Sequence, residues 1–221
     1  DGFRFDRSEV GGAYDAVRDG KGLVVLSAHV GNPDLGAAAF NTRIDRKVNV
    51  LLYAGASDPY VRLVREVAPE RAPTVIALND DAQHASIRAI RALRRGEVVA
   101  MKADRPVDER TVEVPFLGGT IGVPTGPFLI AALSGAPVVV LGCFKESAHD
   151  YRLIATPPTV LAFTGRDRDA DLARWAAAFA GELERWVRRY PTQWYQFHDP
   201  FRGPSHGHSE GPAALDRSSG G

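Results

Sequence analysis

Leu23-Val24-Val25-Leu26-Ser27-Ala28-His29-Val30-Gly31-Asn32-Pro33-Asp34 is the stretch whose reading decides the fold. Gly22 to Leu26 is a short apolar run bounded by glycine and polar residues, and reads as a buried strand. Asn32 is a good helix N-cap and Pro33 is favoured at the first helical position, so a helix starts there. Asp34 then sits in the first helical turn, where negative charge is favoured. His29 is left at the strand-to-helix turn, with four residues between it and Asp34. One turn therefore holds an imidazole, a carboxylate and backbone N–H groups. A His oriented by a carboxylate is what abstraction of a hydroxyl proton requires, although the same spacing arises often by chance.

Working outward, strands and helices alternate. Val48 to Tyr53 reads as a strand. Asp58 and Pro59 then open a helix whose stripe is Tyr60, Leu63, Val64 and Val67. Thr74 to Leu78 is a short strand, and Ala82 to Arg95 a helix with Ile87, Ile90 and Leu93 inward, stopped by Gly96. Val98 to Met101 is a strand that leads into Lys102-Ala103-Asp104-Arg105-Pro106. Upstream, Asp1 to Gly20 is polar, with one short helix over Ser8 to Arg18. The alternation predicts an α/β fold with a mixed, largely parallel central sheet flanked by helices. Sites on such sheets gather at the carboxyl ends of strands. His29 and Asp104-Arg105 both follow strands and so belong to that edge.

Further on, Thr111 to Leu117 reads as a strand turned by Gly118-Gly119, and Gly122 to Pro127 as a rigid loop. Thr125 to Phe144 carries no charge and is about long enough to span a bilayer. Ser134-Gly135-Ala136-Pro137 interrupts it, so it reads as a buried helix, Gly126 to Leu133, then a buried strand, Val138 to Phe144. Tyr151 to Thr156 is a further strand. Asp169 to Tyr190 is an amphipathic helix with Leu172, Trp175, Phe179, Leu183 and Trp186 on one stripe and Arg174, Glu182, Glu184, Arg185, Arg188 and Arg189 on the other face. Residues 1–200 form the expected domain, and 201–221, rich in Gly, Ser, His and Pro, an expected disordered tail.

Lys plus Arg and Asp plus Glu number 27 each in the 221 residues. Zero net charge argues against a nucleic-acid binder, whose affinity needs a basic excess. Arg88, Arg91, Arg94 and Arg95 read as a solvated helix face. The only cysteine, Cys143, excludes a disulfide framework and a Cys-based zinc site. His84, His149, His198, His206 and His208 show no metal-ligand spacing, so no metal is expected. The chain begins at Asp1 without a signal segment and reads as an excised domain.

Taken in order, His29-Val30-Gly31-Asn32-Pro33-Asp34, Lys102-Ala103-Asp104-Arg105, Val114-Pro115-Phe116-Leu117-Gly118, Pro124-Thr125-Gly126-Pro127, Gly135-Ala136-Pro137-Val138 and Pro191-Thr192-Gln193-Trp194 resemble the lysophospholipid acyltransferase superfamily. Within it the chain is similar to the lipid A biosynthesis (lauroyl/myristoyl) acyltransferase branch, over roughly residues 20 to 200. The resemblance implies a glycerol-phosphate-acyltransferase-like fold. It implies transfer of an acyl chain from an acyl carrier protein or coenzyme A thioester to a hydroxyl or amine of a lipid or glycolipid, without a cofactor. His29 and Asp34 correspond to the family's H-x4-D pair, base and orienting acid. Members commonly carry a membrane-binding N-terminal helix, and none is seen in this sequence. Glycerol-phosphate relatives carry an F-P-E-G-T-type block, and Val123-Pro124-Thr125-Gly126 has no Glu, which argues against a glycerol-phosphate acceptor.

The expected substrate contacts are Gly31 and Asn32, whose amides would face an oxyanion, and Arg105, which suits a phosphate. Thr125, Gly126 and Glu146 are further candidates. Phe116, Leu117, Phe128 and Leu129 are the expected walls of an acyl groove. The expected setting is peripheral, at the cytoplasmic face of a bacterial inner membrane. Two rivals are a thioesterase or lipase-like hydrolase, for which the G-x-S-x-G elbow is missing, and a non-catalytic lipid- or carrier-binding domain.

Overall fold

The computed structural model describes residues 2–52, 72–78, 82–106, 110–165, 167–196 and 199–201. The expected helix over Asp58 to Val67 and the tail beyond Phe201 lie outside them. Strand β1 (Arg4–Glu9) is followed by α1 (Gly11–Arg18), β2 (Leu23–Ser27), α2 (Pro33–Asn41), β3 (Val48–Leu52) and β4 (Thr74–Ala77). Then come α3 (Ala82–Arg94), β5 (Val98–Lys102), β6 (Thr111–Phe116), β7 (Gly119–Pro124), α4 (Gly126–Ser134), β8 (Pro137–Lys145), β9 (Asp150–Ala155), β10 (Thr159–Val160) and α5 (Arg168–Arg189). A 3₁₀ turn, Pro191–Gln193, closes the succession.

The main sheet runs β1-β9-β8-β2-β5-β3-β4, with β10 paired to β8. β8, β2, β5, β3 and β4 are mutually parallel, and β9 is antiparallel to β8. The α/β reading with a largely parallel sheet therefore holds. β2 and β8 are near-continuous apolar runs because they are covered on both faces, as parallel strands usually are. The period of two sorts their side chains. Leu23, Val25, Val139, Leu141 and Cys143 pack with α1 and α2. Val24, Leu26, Val138 and Val140 pack with α3, α4 and α5.

The apolar span is α4 followed by β8, broken at Gly135, whose φ of 73° ends the helix. Among the described residues no helix is long and apolar enough to cross a membrane.

Four local expectations are corrected. The helix expected over Ser8 to Arg18 starts only at Gly11, because Ser8 and Glu9 end an edge strand, Arg4–Glu9, that runs parallel to β9 and whose mostly exposed polar side chains hid it from a hydrophobicity reading. Gly122 to Pro124 belongs to strand β7, with Ile121 and Val123 inward at period two. Its hairpin with β6 turns through Leu117 (φ 49°) and Gly118 (φ 83°), both left-handed, as a two-residue hairpin loop favours. The Leu117 amide is anchored there, donating to Glu184 Oε2 at 3.0 Å. On α3 the inward stripe is Ala85, Ala89, Ala92 and Leu93, while Ile87 is exposed, because small residues let the helix approach closely. On α5 Glu182 is buried rather than solvated, and pairs with Arg185.

Candidate active site

β2 and β5 are neighbours, in the register Leu26↔Met101 and Ser27↔Lys102. The ladder continues one step, as Ala103 N–H donates to Ser27 O at 3.0 Å. Two residues past the last pair come His29 on one strand and Asp104 on the other. Asp104 is buried; its Oδ2 accepts the His29 backbone N–H at 2.8 Å, and both carboxylate oxygens face His29 Nδ1, at 2.9 and 3.0 Å. A carboxylate can only accept, so Nδ1 carries the proton and Nε2 presents its lone pair. The imidazole side chain is 26% exposed and the Asp104 side chain 3%, so the acid is dry and the base can be reached.

Asp34 has a different partner. It lies in the first turn of α2, as expected, and its Oδ1 is 3.4 Å from Lys102 Nζ, with both side chains partly exposed. An ion pair in that setting is worth about 0–1 kcal/mol. The acid that orients the ring is Asp104, supplied by the neighbouring strand. The sequence pairing of His29 with Asp34 counted residues along one turn, whereas the contact runs across the sheet.

The α2 N-terminus forms as its sequence demands. Asn32 Oδ1 accepts the Leu35 N–H at 3.0 Å, and Pro33 occupies the first turn. The expected oxyanion donors are occupied, however. Gly31 N–H donates to Gln193 O and Asn32 N–H to Cys143 O, each at 2.7 Å. An amide already spent on a carbonyl cannot meet a developing oxyanion at full strength. Gly31 is required here: its φ is 66°, and a Cβ would collide with the Cys143 carbonyl oxygen.

The remaining candidates separate. Arg105 turns toward the chain itself: Nη2 donates to Tyr195 O at 2.9 Å and Nε to Gln196 Oε1 at 3.2 Å. Glu146 accepts from Tyr190 Oη at 2.8 Å and pairs with Arg152 Nε at 3.1 Å. Burial, with the Glu146 carboxylate beside it, pushes the Tyr190 phenol up to about 12. Thr125 is buried, with Oγ1 donating to Arg110 O at 3.1 Å, and it lines a cleft of about 630 Å³ together with Thr111, Leu172 and Asp169. Gly126, which opens α4 next to it, is exposed. His29 and Asp104 do not line that cleft.

Phe116 and Phe128 are core residues rather than groove walls. Phe116 meets Trp194 edge-on at 5.6 Å and Phe128 meets Phe179 at 6.2 Å, and both are fully buried. Leu117 and Leu129 pack partly buried against the same core.

Cys143 lies directly under the His29 turn, but burial pushes its thiol up to about 12, so it is no thiolate nucleophile. Among the described residues no group of three His, Cys, Asp or Glu is placed to hold a metal ion.

A parallel α/β sheet with a reachable imidazole backed by a buried carboxylate at its carboxyl edge can run proton-transfer chemistry on a hydroxyl. The family model for the bacterial lipid A biosynthesis acyltransferase matches residues 7–203, and the chain belongs to that family. It is an acyltransferase of lipid biosynthesis, acting between an acyl donor and a lipid acceptor. No curated protein is matched by the chain.

Proposed function

We propose that the chain transfers a fatty acyl group from a thioester, of acyl carrier protein or coenzyme A, to a hydroxyl or amine of a lipid or glycolipid, with His29 as general base. Nε2 takes the acceptor proton as the acceptor oxygen or nitrogen attacks the thioester carbonyl. The C–S bond then breaks, and the imidazolium returns its proton to the departing thiolate. Asp104 holds the tautomer and favours the imidazolium, as the acid does in hydrolase triads. The nucleophile belongs to the acceptor, so no acyl-enzyme forms. The substrates place the reaction at a membrane surface, and we take that surface to be the cytoplasmic face of the inner membrane.

The observation that carries this reading is the 2.9 Å contact between His29 Nδ1 and Asp104 Oδ1, with the ring still reachable. The test uses radiolabelled lauroyl thioester, in the carrier-protein and coenzyme A forms, with and without micelles of under-acylated lipid A. Acylated lipid formed by the unaltered chain and lost in H29A supports the reading. Free fatty acid formed equally without acceptor points to a hydrolase, and an H29A variant as active as the parent overturns the base assignment.

A further inference from the structure

We infer that Gln193 and Arg105 are positioning residues for His29: they pin residues 191–196 across the His29 turn as a strap that fixes the imidazole over Asp104. This rests on reading His29 as the base. The His29 peptide is held at both ends. Its N–H goes to Asp104 Oδ2 at 2.8 Å, and its C=O accepts the Tyr195 N–H at 3.0 Å. The strap makes two more backbone contacts with the turn. Gln193 O accepts the Gly31 N–H at 2.7 Å, and Trp194 forms an antiparallel bridge with Val30.

A six-residue segment after a helix needs its own anchorage to hold such contacts, because ordering each residue costs backbone entropy. Two side chains supply it. The Gln193 amide pairs with the backbone of the last residue of β8, accepting the Lys145 N–H at 2.9 Å and donating to Lys145 O at 2.9 Å. From the other side Arg105, next to Asp104, donates to Tyr195 O and Gln196 Oε1. The strap thus ties β8 to the end of β5, with the His29 turn of β2 between them. Gln193 and Arg105 act on the base through the strap, by setting where the His29 turn sits.

The test combines hydrogen exchange with steady-state kinetics on lauroyl thioester and lipid A micelles. In Q193A the Gly31, Tyr195 and Lys145 amides should exchange faster, while amides of β2 and of residues 138–144 of β8 do not. The kcat should fall by about 10- to 100-fold with KM little changed, the scale of loss expected from a small misplacement of a catalytic group. R105A should behave alike, R105K should recover part of kcat through the Tyr195 carbonyl, and Q193A/R105A should be no worse than the weaker single variant, since both act through one strap. If Q193A does not fold, R105A carries the same measurements. Unchanged exchange in both variants overturns the inference. So does R105A raising KM and multiplying with Q193A, the signature of a phosphate ligand on the substrate. An inactive H29A beside a normal Q193A defeats the strap alone; an active H29A defeats the base.

Discussion

Asp104 follows β5 as His29 follows β2, each two residues past the last paired position, and the carboxylate faces the imidazole at 2.9 Å. Asp34, on the same turn as His29, is spent on Lys102 and the α2 dipole. The two acids therefore carry different weights. D104N removes the negative charge and replaces one of the two accepting oxygens by an NH2 donor, so the tautomer is no longer fixed, and it should cost about 10²- to 10⁴-fold in kcat, the usual worth of positioned acid–base catalysis. D34N should change kcat by only about a few fold, in keeping with the small energy of an exposed pair. Acyl transfer by the two variants, measured side by side with their melting curves, decides between them. A D34N loss as deep as that of D104N restores the acid on the turn.

Gly31 makes a second, purely steric prediction. With φ at 66° and the Cys143 carbonyl against its α-carbon, any side chain must push the turn off β8. G31A should cost about 1–3 kcal/mol of stability, the range for a non-glycine residue forced into a left-handed site beside a clash. It should also lower transfer, because the displaced turn carries His29. A chemical melt together with a kinetic assay reads both. An alanine tolerated without change in either would mean that the turn can relax away from β8.

The thiol of Cys143 should be silent. It is fully buried, and that burial holds it up to about 12, far above neutral pH. Iodoacetamide at pH 8 should leave the folded chain unlabelled by mass spectrometry and modify it at once in denaturant. Labelling in the folded state, with loss of transfer, would mean that the sheet beneath the His29 turn opens.

Much of the fold is legible in the sequence. The strand-turn-helix at His29 follows from the apolar run Gly22 to Leu26 and from Asn32 and Pro33, and the parallel sheet follows from alternating elements. The sequence marks Asp104 as a strand-end residue but not as the partner of His29. That pairing depends on β2 and β5 being adjacent, and strand order is a tertiary fact that local spacing does not carry. The same gap explains the amides of Gly31 and Asn32. They look free in a sequence, and they are taken by Cys143 and Gln193, more than a hundred residues away. Phe116 and Phe128 read as greasy, which is true of a groove wall and of a core alike. Strand β1 was hidden because its pairing to β9 uses backbone rather than an apolar face.

The start of α5 supplies a pH-dependent prediction. Asp171 is buried in the first turn of the helix, where its Oδ2 accepts the Thr164 N–H at 2.7 Å and the Thr164 hydroxyl at 3.1 Å, while Oδ1 pairs with Arg174 at 2.6 Å. The Thr164 amide first, and then Arg174, hold this carboxyl below the usual carboxylate range. A group whose folded pKa is depressed stabilises the fold only while ionised. Its contribution is complete above the ordinary value of about 4 and fades as pH falls through the lowered folded value. D171N keeps the shape and loses the charge, so it should melt below the parent at pH 7. The gap should narrow as pH drops from about 4 toward 2, because the parent then loses the same charge. Melting temperatures of both proteins across that range test it. A gap that stays constant down to the lowest pH would assign the loss to altered hydrogen bonding by the amide and not to the carboxylate's charge.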